Sequence, residues 1–154
     1  VYKRQTQNDI LRQVAYEDAS VTTSWTIDLH YPDPKNTRFF SGDEFKAVCN
    51  QEEIELYPIP YRCFYSRNVS NLFMAGRNIS VTHVALGTVR VMRTTAMMGE
   101  VVGMAAAVCR RHDVLPRTVY TSYLPELRSL MQKGCGQQDL PNNQQFNIGR
   151  RKHH

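Results

Sequence analysis

The chain has 154 residues, 42% of them apolar and 21% charged, which suits one packed domain and excludes a collagen, a coiled coil or a wholly disordered segment. Its formal charge is +5 with a pI near 9.2, and Arg150, Arg151 and Lys152, just before His153 and His154, carry much of that excess. That end reads as an expression or processing tail. A nucleic-acid surface needs basic residues along one face with stacking aromatics between them, and the sequence has no such stripe.

Residues 6–19 place Ile10, Leu11 and Val14 at helical spacing, with Thr6 or Asn8 placed to cap the start. Residues 21–31 alternate, with Trp25, Ile27 and Leu29 on one side and Thr26, Asp28 and His30 on the other. That pattern predicts one half-buried strand, ended by Pro32 and Pro34. A polar turn region fills 33–43. A second β-rich section runs through 53–65, where Pro58 and Pro60 confine the chain to a sheet edge or an extended connection. Residues 66–71 read as a turn, and 72–75 as a short buried strand, parallel in type, running into Gly76.

A long helix is predicted from about Met92 to Arg111. Arg110, Arg111 and His112 complement the dipole in its last turn. Its most apolar part, residues 95–109, contains Glu100 and Gly103 and falls short of the ~18–20 apolar residues of a membrane span. Pro116 closes the connection. One or two further helices occupy 117–133, with Pro125 in a first turn, an apolar stripe of Leu124, Leu127, Leu130 and Met131, and Gly134 as the stop. Residues 135–154 form a polar tail. The fold class that follows is α+β.

Cys49, Cys63, Cys109 and Cys135 contain no CxxC pair, so a zinc site is disfavoured and free thiols are expected. The chain starts at Val1 without a charged-then-apolar leader, which leads to the expectation that processing or truncation has removed what preceded it. The compartment stays unassigned.

The segment that carries chemistry is 71–107, NLFMAGRNISVTHVALGTVRVMRTTAMMGEVVGMAAA. It reads as strand, glycine turn, a loop with a second glycine, then a helix on which Gly99, Gly103 and Ala107 recur every four residues. Each interior glycine costs ~1 kcal/mol relative to alanine. Two on one helix face ask for close approach, either by another stretch of backbone or by a flat ligand.

This order of residues resembles the C-terminal FAD-binding segment of FAD-dependent oxidoreductases of the glutathione-reductase-like superfamily. The nearest pattern is the family carrying AGRxIS…H…GxxRVM…GEAAG. SWTIDLHYPDP and YPIPYRCFYSRNVSNL upstream resemble the same family, so the resemblance covers roughly residues 6–133. It implies a fragment of an α/β FAD-binding fold, with 1–65 from a substrate domain, 66–134 from the end of the FAD domain, and 135–154 as tail. Ala75 and Gly76 are then expected to pass close to pyrophosphate and ribitol, and Arg77 and Asn78 stand where many members have an acidic residue. The loop 83–91 with Gly87 is expected at the flavin ring. The helix start near Thr94 and Thr95 is expected to face the flavin carbonyl, with Gly99 and Gly103 packing on the first strands of the FAD domain. His30, Arg62, His83 and Arg90 are the candidate substrate-side groups, supplying a proton donor or acceptor and cations for oxyanions, with ordinary structural roles as the alternative for each.

A complete FAD site also needs a GxGxxG turn after a first strand. The nearest match, Gly134–Cys135–Gly136, lacks the third glycine and the strand. The expectation is therefore a C-terminal part of a flavoprotein that binds FAD poorly alone and works with the remainder of the FAD domain on a small-molecule substrate. No membrane or nucleic-acid partner is expected, and self-association through uncovered surfaces is. The competing reading is a non-enzymatic module that docks through the small-residue helix.

Overall fold

The computed structural model describes residues 2–32 and 47–135. The expected polar turn at 33–43, Pro34 and the tail beyond 135 lie outside the described residues. Helix α1 (Gln7–Leu11) begins with reciprocal capping. The Thr6 hydroxyl accepts from the Asp9 N–H at 3.2 Å, and the Asp9 carboxylate accepts from the Thr6 N–H at 2.8 Å. The helix does not continue to residue 19. Gln13 turns into the left-handed region at φ 53, so Ile10 is buried while Leu11 and Val14 are exposed.

Residues 21–31 do not form one strand. They belong to two, β1 (Ala19–Thr23) and β2 (Ile27–Pro32), and Trp25 between them is exposed. Thr88 makes the break. Its hydroxyl donates to the Trp25 carbonyl at 2.5 Å, and its own carbonyl accepts from the Thr23 hydroxyl at 2.9 Å. Each strand then pairs elsewhere. β2 pairs antiparallel with β3 (Ala47–Glu52), with Asp28 opposite Gln51 and His30 opposite Cys49. β1 pairs antiparallel with β4 (Tyr57–Pro60), with Val21 opposite Ile59. The second β-rich section thus starts at 47 rather than 53 and is interrupted before β4. β4 is an edge strand, as Pro58 and Pro60 require. A 3₁₀ turn, Tyr61–Cys63, follows it.

The expected strand at 72–75 is reduced to one antiparallel bridge, Tyr65 to Phe73, with Leu72 and Ala75 exposed. The expected loop at 83–91 is mostly helix, α2 (His83–Val89), whose start is capped by Thr82. Val84, Gly87, Thr88 and Val89 are weak helix formers, and this hid the helix from a propensity argument.

Helix α3 (Met92–His112) matches expectation and ends at Asp113 in the left-handed conformation. Its Met98, Val101, Ala105 and Val108 bury against β1, α4 (Pro116–Ser122) and α5 (Leu124–Lys133). Pro116 and Pro125 sit in first turns, and Gly134 ends α5 at φ 66. The core adds Tyr61, Phe64 and Tyr65, and the Tyr61 hydroxyl donates to the Pro116 carbonyl at 2.8 Å. The architecture of the described residues is α+β, five helices with two small antiparallel sheets. No described helix is long and apolar enough to cross a membrane.

All four cysteines are free. Burial pushes the Cys63 thiol up to about 12, and half-buried Cys109 is shifted the same way for the same reason.

Candidate active site

The site starts from one close contact. A Cβ on Gly87 would lie 2.9 Å from both the backbone N and the backbone O of Asp28, so only glycine lets α2 settle directly on β2. That contact brings His83 and Leu86 of α2, with Arg90 at its end, over Asp28, Leu29 and His30 of β2. Arg77, from the turn before α2, completes a cleft of about 150 Å³. A hollow of this size takes one benzene-sized group.

Asp28 organises the polar wall. His30 Nε2 is 3.0 Å from Asp28 Oδ2, and the Gln51 amide donates to Oδ1 at 3.3 Å. Arg90 donates to the Asp28 carbonyl at 3.1 Å and stands 3.7 Å from its carboxylate. The His30 hydrogen bond, with help from Gln51 and the positive Arg90, holds the Asp28 carboxyl below its ordinary range. Cys49, across the ribbon, places its Sγ 3.2 Å from His30 Nδ1. The lining therefore presents two arginines and two histidines against one carboxylate.

Five residues expected from the sequence meet here: His30, Arg77, His83, Gly87 and Arg90. Arg62 does not line the cleft. It makes a two-pronged ion pair with the fully buried Asp18 carboxylate, at 2.8 and 2.9 Å, and its guanidinium lies over the rings of Tyr16 and Tyr120. The pair fastens β1 to the 3₁₀ turn and raises the Arg62 pKa through the Asp18 hydrogen bond. Gly76 adopts φ +103, which favours glycine, and its N–H donates to Met98 Sδ at 3.3 Å, tying the turn to α3. Ala75 and Asn78 on either side are exposed.

Thr94 is buried in the first turn of α3, and the Thr95 hydroxyl donates to the Met92 carbonyl at 2.9 Å. No side chain caps the start of α3, which leaves its positive end open to an electron-rich group. Gly99 and Gly103 line the opposite side of α3 from the core, and a Cβ on either would meet nothing within 4 Å. The packing expected of them is not made by any described residue.

The sequence reading missed Cys49 and Gln51. Their signal is positional, since each lies directly across from a cleft residue in the β2–β3 register. Among the described residues no group of three His, Cys, Asp or Glu side chains is arranged to hold a metal ion.

The described residues thus present a basic, ring-sized cleft between α2 and β2, and a long helix, α3, with no side-chain cap at its start. Residues 3–131 match the FAD dependent oxidoreductase family, and the chain belongs to it. No curated protein and no solved structure matches the chain.

Proposed function

We propose that this chain provides the flavin and substrate side of an FAD site, and that the ADP-binding half comes from a segment outside these 154 residues. The observation that carries the reading is the convergence of His30, Arg77, His83 and Arg90 on one cleft sealed by Gly87. The absence of a GxGxxG turn from the sequence, and the uncovered flank at Gly99 and Gly103, support the missing half. On this reading 1–65 belongs with a substrate domain and 66–134 with the end of the FAD domain.

The residues suit part of the cofactor. The turn at Gly76, with Arg77 and Asn78, fits a phosphorylated ribityl chain, and the open start of α3 at Thr94 and Thr95 fits an electron-rich ring carbonyl. The cleft is far too small for the whole molecule. Bound FAD supplies the site with hydride chemistry. The chain's own groups then have separate tasks: Arg77 and Arg90 hold an anionic group of a small organic substrate, and His83 passes a proton to or from it. Alone, the chain retains no FAD and is inactive, because half the contacts are missing.

The test uses a longer polypeptide that includes the upstream segment. Purified, it should be yellow, with flavin absorbance. Gly99→Leu with Gly103→Leu should leave the 154-residue chain folded and strip flavin from the longer form. A folded, colourless longer form would overturn the reading and favour the same bare flank as a docking surface of a non-enzymatic module.

A further inference from the structure

The β2–β3 ribbon holds three groups in line that the flavin reading does not use together: Cys49, His30 and Asp28. The carboxylate only accepts hydrogen bonds, so the 3.0 Å contact between Asp28 Oδ2 and His30 Nε2 places the imidazole proton on Nε2. Nδ1 is then the bare lone pair, and it faces Cys49 Sγ at 3.2 Å. The thiol is the donor in that contact. Nucleophile, base and orienting carboxylate stand in the order that activated nucleophiles require. Gln51 donates to the other carboxylate oxygen, and Arg90 donates to the Asp28 backbone carbonyl with its guanidinium 3.7 Å from the carboxylate, so the group that orients the histidine is itself held. Cys49 is exposed and the His30 side chain is 45% accessible, so a small reagent reaches the sulfur without any opening of the fold.

The other three thiols lack this arrangement. Cys63 is buried, with its thiol pushed up to about 12, and Cys109 is half-buried with a raised pKa. Cys135 is exposed just past α5, has no base beside it among the described residues, and serves as a natural internal reference.

We propose that Cys49 is a reactive thiol, activated by His30 under the positioning of Asp28, which takes small disulfides into covalent linkage beside the cleft. In the exchange the thiol proton passes to His30 Nδ1 and Cys49 Sγ attacks one sulfur of the disulfide RS–SR. A bond forms between Cys49 and that sulfur, and the RS–SR bond breaks. The departing RS⁻ takes the proton from His30 and leaves as RSH. One disulfide is consumed and one is formed, so no further oxidant or reductant is involved.

The inference does not depend on FAD, and its test uses the 154-residue chain without cofactor. The chain is exposed to oxidised glutathione at neutral pH, and mixed-disulfide formation at each cysteine is followed by peptide mass spectrometry. Cys49 should react on the order of tenfold faster than Cys135. His30→Gln should bring Cys49 to the rate of Cys135. Asp28→Asn should slow it as well, because an amide in that place can donate to Nε2 and move the ring proton onto Nδ1. Circular dichroism reports whether each variant keeps its fold. Equal rates at Cys49 and Cys135 in the unmodified chain would overturn the proposal whatever the variants do, and so would an unchanged Cys49 rate in folded His30→Gln.

Discussion

Helices α2 and α3 follow one another in the chain and both carry interior glycines, yet they use them in opposite ways. Gly87 of α2 is closed in by the backbone of β2 at 2.9 Å, whereas a Cβ on Gly99 or Gly103 of α3 would meet no described residue within 4 Å. The first glycine is explained inside the molecule. The other two weaken a helix that gains nothing from them among the described residues, and on the proposed function their use is to admit the rest of the FAD site. The same division runs through the fold. α3 with β1, β4, α4 and α5 makes a tyrosine-rich core, to which the inner face of α2 adds Ala85 and Val89, while the outer face of α2 with the β2–β3 ribbon makes a thin, polar wall around a cleft.

The two halves should fail differently. Alkali should act most strongly, and on the core. Burial pushes Tyr57 up to about 12 from an ordinary 10.0, pushes Cys63 up to about 12 from 9.0, and raises Tyr61 and Tyr65 as well. Each folded-state value lies above the unfolded one. Their contribution to stability is therefore complete below pH 9 and is lost as pH rises toward 12. Thermal melts across that window should show cooperative unfolding, and a melting temperature that stays level to pH 12 would contradict it.

Next in size is Arg62→Ala. It leaves the Asp18 carboxylate buried without its partner and should cost about 3–5 kcal/mol in denaturant unfolding. The ratio of Cys49 to Cys135 labelling should not change, because Arg62 acts in the core half and not at the cleft. A shift in that ratio in the folded variant would mean that the halves are coupled.

Gly87→Ala should cost about 1–3 kcal/mol, since the new methyl meets backbone atoms that cannot step aside. It should also lift α2 off β2 and change the Cys49 labelling rate. The smallest effect has the opposite sign. Gly99→Ala and Gly103→Ala should each stabilise the chain by about 0.5–1 kcal/mol, because helix propensity improves with no contact to disturb. A loss of stability at either position would show that the flank is already occupied.

Local rules made the core half legible. Periodicity gave α3, prolines and Gly134 gave the bounds of α4 and α5, and of the two cap candidates at the start of α1, Thr6 and Asn8, the first is the one used. They failed where tertiary contacts decide. Nothing in 21–31 announces the break that Thr88 imposes from 63 residues away, and Gln13 ends α1 with a left-handed turn that no glycine marks. β3 is exposed at every residue, so it carries no apolar alternation to read. At the site, the family pattern supplied His30, His83, Gly87 and Arg90, but it gave no hint that Arg62 serves a buried carboxylate. Cys49 and Gln51 become visible only with the register of a ribbon whose connecting residues separate them from β2 in sequence.

The empty flank at Gly99 and Gly103 sets apart two kinds of selection. A mutant library sorted only for well-folded, protease-resistant copies of this chain should drift away from glycine at both positions, because folding alone is indifferent to crowding there. A library of the longer polypeptide sorted for colour should keep them small. Where the two sequence profiles part company, they would trace, residue by residue, whatever the longer polypeptide packs against this flank.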